Sequence, residues 1–404
     1  MAKANSLVTA GVFAGQIVGF SFMFTMLKVI SQTCVPMLPG MTQSKSCPEG
    51  EVKFERPVLN ALMMVGSMSL SLIFYYFFRH NKAGVPKIKR DLFAYILFPS
   101  ALDVVCCGLL MAGSMYIPMS LVLTLKGIRI LFSSLLVIVI FKRKQRGHNW
   151  AGVAVAMLGV GLAALSAVLN SQGDKSAGAS SPVLGIVLVL GSEFFRSLMV
   201  VTQEYLMKVK RCDPTFLMGL QGVYGGTLIV IMMVVSWLLI PGKDKDGSFE
   251  NMPVTFELAS ESPLILSLLS VLPFVTTAGF ISSAFVTKLL SSVHNAMASV
   301  LMTALVWLIE LIIYYGVDSR YGKKWGQFSP LQLVGFMFVV LALLVYDGSV
   351  VKIKSLFEYP TESKLDIENI KEIQALASAE AIASLNASTV GEESLDHVKI
   401  ASPQ

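Results

Sequence analysis

Charge is scarce in this sequence. Of its 404 residues, 14% are Asp, Glu, Lys or Arg and 54% are hydrophobic. A water-soluble domain carries about a quarter charged residues, so an ordinary soluble fold is excluded. Cysteine is scarce as well, with five in the chain, and histidine with four. No Cys/His cluster has metal-ligand spacing, so no metal centre is expected. No nucleophile–base pair is visible along the chain, so neither an enzyme nor a cofactor is expected. Period-two alternation is missing from the apolar segments, which excludes a membrane barrel and leaves helices as the structure that lipid permits.

What the sequence has in quantity is apolar blocks of about twenty residues, the length a helix needs to cross the hydrocarbon layer. Ten such spans are predicted, over 7–30, 58–78, 92–114, 118–141, 150–169, 182–205, 216–240, 263–290, 293–317 and 331–350. The fold class is an all-α membrane protein. Lys3 precedes the first span as in a signal peptide, but the apolar run is too long for a signal core. A Gly/Ser-rich break, "NSQGDKSAGASS", divides the spans five and five, giving segments 1–169, 170–181 and 182–354. An odd number of spans per half places the halves in opposite orientations, so two inverted five-helix repeats are expected, with a site between them near mid-membrane. Residues 355–404 are polar and poor in aromatics, and read as a disordered tail.

Basic residues set the orientation. Arg79, Lys82, Lys87, Lys89 and Arg90 follow the second span. Lys142, Arg143, Lys144 and Arg146 follow the fourth, and Lys208, Lys210 and Arg211 the sixth. Those loops share one side if the spans alternate, and both termini join them in the cytosol. Arg320, Lys323 and Lys324, after the ninth span, dissent. The net charge of +6 is thus a topology signal and no nucleic-acid footprint. Cys34 and Cys47 fall in the first loop of the opposite side, where oxidation is permitted, and are candidates for a disulfide. The sequon at Asn386 lies in the cytosolic tail and is expected to be unmodified.

Several charges lie inside the spans. Lys126 and Arg129 are three residues apart in "LTLKGIRILFSS" and share a helix face, with Ser133 a turn further. Arg129 is too deep to snorkel, so it faces the bundle interior. Asp103 lies in the third span beside Ser100 and Cys107. Glu193 and Arg196 lie in the sixth, Glu310 in the ninth, and Gln16 interrupts the first. Lys126, Arg129, Asp103, Glu193, Arg196, Gln16 and Gln221 are candidates to bind the solute. Glu310 is best placed to take up a proton. The bland alternative is that these charges cancel as interhelical pairs, Arg129 with Asp103 or Glu193 for example, leaving a cavity suited to neutral or cationic solutes. Gly11, Gly15 and Gly19 read as a close-packing face, as does "GVYGG" at 222–226, and His294 as an interfacial polar residue.

The order and texture of these spans resemble the drug/metabolite transporter superfamily, in the branch that holds the F-type members of solute carrier family 35 and the chloroquine-resistance transporters. The resemblance rests on "LTLKGIRILFSSLLVIVIFKRKQRGHNWAGVAVAMLGVGL", "VTQEYLMKVKRCDPTFLMGLQGVYGG", "SSAFVTKLLSSVHNAMASVLMTALVW" and "LQLVGFMFVVLALLVYDG". Relatives tend to carry a glutamate early in the seventh span, where this chain has Gln221, and an arginine in the ninth that has no counterpart after Asn295. The resemblance implies a ten-helix carrier working by alternating access in an endomembrane, Golgi or lysosome/vacuole. Its partners would be the lipid bilayer and a small-molecule substrate, a nucleotide sugar or other organic anion. A proton-coupled exporter of amino acids, peptides or cationic drugs, and a scaffold or receptor that transports nothing, are the alternatives. A homodimer is left open.

Overall fold

The computed structural model describes residues 2–38, 47–79, 90–114, 116, 117, 122, 125–142, 145, 147–171, 182–242, 244 and 247–348. The tail at 355–404 and its sequon, the linker at 172–181 and most of the basic loop after the second span lie outside them. Nine helices among the described residues are long and apolar enough to cross a membrane. They are contributed by α1 (Ala2–Gln32), the stretch beginning with α2 (Pro57–Gly66) and α3 (Ser71–Phe74), α4 (Asp91–Ser114), α6 (Gly147–Ser171), α7 (Pro182–Lys208), α8 (Pro214–Leu238), α10 (Pro263–Leu289), α11 (Ser292–Gly316) and α12 (Ser329–Tyr346). Large apolar side chains such as Leu7, Phe77, Phe274 and Ile312 stand exposed on their outer faces, as a lipid-facing surface requires.

Of the fourth expected span, 118–141, the described residues include a 3₁₀ turn at Lys126–Ile128 followed by α5 (Arg129–Phe141), and residues 118–121, 123 and 124 lie outside them. The second span is irregular too, with a 3₁₀ turn at Ser67–Leu70 between α2 and α3 and a π turn at Tyr75–Arg79. Two short elements had no long apolar run to announce them. One is an antiparallel pair, β1 (Cys34–Pro36) and β2 (Glu51–Lys53), with Val35 opposite Val52. The other is α9 (Met252–Ser260).

Caps place several helix starts. Asp213 accepts from the Thr215 and Phe216 amides ahead of Pro214, Asn251 caps α9, Ser262 caps α10 and Ser291 caps α11. Each satisfies an amide with no partner inside its helix.

The helices pack α6 on α12, α4 on α7, α1 on α10 and α11, α5 on α7 and α11, and α8 on α2 and α4. Glycines permit the closest approaches. A Cβ on Gly159 would meet the Gly335 carbonyl oxygen at 2.6 Å, and one on Gly19 would meet Gly279 Cα at 2.9 Å. Of the Gly11, Gly15 and Gly19 face, Gly11 touches nothing, so contact is confined to its later part. Gly222 and Gly226 let α8 approach the irregular second span at Ser69 and Gly66.

One end of the bundle is tied by covalent and ionic links. Cys34 and Cys47 are joined by a disulfide next to β1. Arg56 pairs with Asp244, both buried, and Asp244 also accepts from the Asn251 amide at 2.8 Å. Glu250 is fully buried. Its two carboxylate oxygens accept from the Val58 and Leu59 amides at 2.7 and 3.0 Å, closing the start of α2. At this hairpin end, a carboxylate meets the positive pole of the helix.

Candidate functional site

The charges expected at mid-membrane gather between α4, α5, α7 and α8. Arg129 opens α5 and points its Nε at Glu193 Oε2, 3.6 Å away. Arg196, one turn beyond Glu193 on α7, places Nη1 at 3.6 Å from Asp103 Oδ1 on α4. Of the two partners expected for Arg129, Asp103 and Glu193, the structure brings up the second, because α7 lies between α4 and α5 and supplies both the anion for Arg129 and the cation for Asp103. Both distances are long for charge-assisted hydrogen bonds, which lie near 2.7–2.9 Å. Arg129 Nε and Glu193 Oε2 have no hydrogen-bond partner. These pairs are loose.

Gln221 joins the group. Its Nε2 lies 3.5 Å from Asp103 Oδ2, and its Oε1 accepts from Gln203 Nε2 at 2.7 Å. An amide here hydrogen-bonds Asp103 where a glutamate would repel it. Asp103, Cys106 and Cys107 bring three donor atoms within 4.8 Å of one another. Arg196 lies beside this set, with Nη2 3.7 Å from Cys107 Sγ, and its positive charge opposes a metal cation there.

Lys126 differs from the two arginines. Its Nζ lies 4.6 Å from the centre of the Phe24 ring, a cation–π contact, and no carboxylate among the described residues comes within 4.0 Å of it. Three cations thus face two carboxylates, and Lys126 is the one left over. Gln16 stands apart from the cluster, with Nε2 at 3.5 Å from the Asn295 carbonyl and Oε1 without a partner.

Phe24 also forms part of the wall of a cavity of about 80 Å³, open at one side, between α1, the 3₁₀ turn before α5, α6, α11 and α12. Gly127, the neighbour of Lys126, lies in the wall as well. The polar groups are Thr303, Glu310, Lys323 and Gln332. Glu310 Oε1 is 2.7 Å from Lys28 Nζ on α1, so the expected proton site has a lysine partner. Lys323 lies in the loop between α11 and α12, where burial first, and the nearby Lys28 ammonium in addition, hold its amine below the ordinary lysine value, with Glu310 opposing. Gln332 is 8% exposed, and its Oε1 has no partner. Sequence reasoning missed Lys28, Lys323, Gln332 and Trp307. Lys28 reads as a snorkelling residue at a span end and Lys323 as a loop charge.

The opposite end is closed by polar contacts. Glu204 Oε2 accepts from the Ser292 amide at 2.7 Å, and Lys208 reaches both Glu204 at 2.8 Å and the Leu290 carbonyl at 2.6 Å. His294 bridges Ser291 Oγ at 2.7 Å and Asp347 Oδ1 at 2.6 Å. Serine, histidine and carboxylate in series is the order of a hydrolytic triad. Ser291 is 1% exposed, however, and its hydroxyl caps α11, so it offers no accessible nucleophile.

Membrane-spanning helices that hold ionisable groups inside the bundle, beside a cavity, define a protein that handles a polar solute within the membrane. The sequence profile of SLC35F, solute carrier family 35, matches residues 24–348, and the chain belongs to this family. Its relatives include solute carrier family 35 member F6 of Homo sapiens, 24% identical over 315 residues that cover 74% of this chain and 80% of that one. An uncharacterised protein of Schizosaccharomyces pombe is 25% identical over 257 residues, 63% of this chain and 74% of its own. A solved crystal structure superimposes with a TM-score of 0.53 at 12% identity, over 84% of this chain and 96% of the other, a likeness of fold alone.

Proposed function

We propose that this chain is a secondary carrier of a small organic anion, working by alternating access, and that Lys126 offsets the charge of the solute. The observation that carries the reading is the imbalance inside the bundle. Arg129 and Arg196 each face a carboxylate, while Lys126 faces an aromatic ring of the cavity wall. An ammonium in a low dielectric with no carboxylate in contact is costly, and an anionic solute lowers that cost. The loose pairs beside it can exchange partners as a solute enters.

Two inverted five-helix halves, 1–169 and 182–354, belong to the same reading, and the packing supports them. Exchanging each span for the one five places later turns the α4–α7 contact into the α10–α1 contact and the α1–α11 contact into the α7–α5 contact. The α6–α12, α2–α8 and α5–α11 contacts map onto themselves. In this arrangement both termini lie in the cytosol, the hairpin end faces the lumen of an endomembrane compartment, and Glu310 is the coupling carboxylate. Purified protein in liposomes tests the class: accumulation of an organic anion that saturates and is chased by unlabelled solute is expected. Binding without accumulation would leave a receptor or scaffold.

A further inference from the structure

The cavity holding Glu310 has a chemical character of its own. Much of its wall is apolar or aromatic, including Phe24, Val160, Val300, Trp307 and Phe336. Glu310 is neutralised by Lys28 at 2.7 Å. Lys323 then remains without a carboxylate inside 4.0 Å among the described residues, so Lys28, Glu310 and Lys323 together carry one net positive charge, and the Lys126 ammonium lies against the Phe24 ring of the same wall. Gln332 adds a buried amide oxygen with no donor. Its side chain is more than nine-tenths buried and lines the cavity.

We propose that this cavity is the substrate site and that it takes an amphipathic organic monoanion, an aromatic or branched carboxylate with one N–H or O–H donor, in preference to a nucleotide sugar. The assignment rests on the anion-carrier reading and names its substrate class. The enclosed space, about 80 Å³, is well below the usual range of small-molecule sites, so a small solute that projects through the open side fits it better than a nucleotide sugar. Polarity decides. A nucleoside diphosphate sugar brings a row of hydroxyls, and hydroxyls set against Val160, Val300 and Phe336 would lose their water without a new partner. A monocarboxylate with an aromatic body matches the Lys323 ammonium and the ring-lined wall. Its donor meets the orphan oxygen of Gln332, a group that discriminates strongly when its partner is missing.

The test is equilibrium binding to the full chain in detergent micelles, with indole-3-propionate, its neutral amide indole-3-propionamide, 3-phenylpropionate and UDP-glucose as probes. Indole-3-propionate is expected to bind at least tenfold tighter than its amide and to resist displacement by UDP-glucose. Lys323→Gln should lower the preference for the acid while leaving the affinity of the amide within about twofold, and Lys323→Arg should keep the preference. Gln332→Leu should weaken the indole acid toward the level of 3-phenylpropionate, which lacks the donor. Equal binding of acid and amide, displacement of the acid by UDP-glucose, or no binding of the acid overturns the assignment. If anion uptake in liposomes still depends on Lys126 when that happens, only this cavity's substrate class fails. If uptake ignores Lys126 as well, the carrier reading fails with it.

Discussion

Arg129 meets Glu193, with Nε 3.6 Å from Oε2, and not the carboxylate of Asp103, which Arg196 holds at the same 3.6 Å. The sixth span thus supplies one charge to each of its two neighbours. Breaking a buried pair by removing one partner costs about 3–5 kcal/mol, because the other charge stays buried. Arg129→Ala should lose that order of stability, and Glu193→Ala in the same chain should restore most of it, whereas Asp103→Ala should not. Thermal unfolding of the two double variants in one detergent decides the pairing. Rescue by Asp103→Ala would reassign it.

Glu310→Gln removes the carboxylate from the cavity and leaves Lys28 without its partner. If Glu310 carries the coupling proton, uptake by the folded variant should no longer respond to an imposed pH gradient. Uptake that still follows the gradient as in the wild type would make Glu310 a structural partner of Lys28.

Glu250 gives a pH dependence at the hairpin end. Burial raises the pKa of its carboxyl above 4.5, with the nearby Asp244 adding to the rise and the Val58 and Leu59 amides and Arg56 opposing it. A carboxyl whose folded pKa is raised binds more protons when folded, so its contribution is fully present below the unfolded value and is lost as pH rises through the folded one. The wild type should therefore gain stability relative to Glu250→Gln as pH falls from neutrality toward 4.5. Parallel melting curves for the two proteins across that range would contradict the burial of Glu250.

The disulfide closes a loop with a sequence separation of 13, and a loop near that length is worth about 3 kcal/mol through the unfolded state. Cys34→Ser/Cys47→Ser should unfold earlier by that order. In sealed vesicles, an impermeant maleimide applied after reduction should reach Cys47 from the side opposite to cysteines introduced at 79–90. Labelling of both from one side would overturn the orientation.

Sequence was most informative where an apolar run was long. The span at 263–290 became Pro263–Leu289 and that at 293–317 became Ser292–Gly316, because lipid leaves a twenty-residue apolar block only one structure. Short elements carried no such signal, and the β1–β2 pair and α9 were invisible for that reason. That Lys126, Arg129, Asp103, Glu193 and Arg196 turn toward protein was legible, and all lie inside the described bundle. Glu193 was one of two partners the sequence offered Arg129, but the choice between them and the Arg196–Asp103 pair were not legible, because a helical wheel says which way a charge points and nothing of which helix stands opposite. Lys323 shows the same limit. As a loop charge it contradicted the orientation set by the other loops; in the structure it lines a cavity beside Glu310.

Lys126 bears the whole anion-carrier reading. The most direct measurement is initial uptake by proteoliposomes of a carboxylate and its neutral amide, for the wild type and Lys126→Gln. The KM for the carboxylate should rise about tenfold or more in the variant, while that for the amide stays within about twofold, as expected when one charge-assisted contact worth about 1.5–3 kcal/mol is removed. Equal losses for the two solutes would show that Lys126 holds the bundle together and does not read the charge of the substrate.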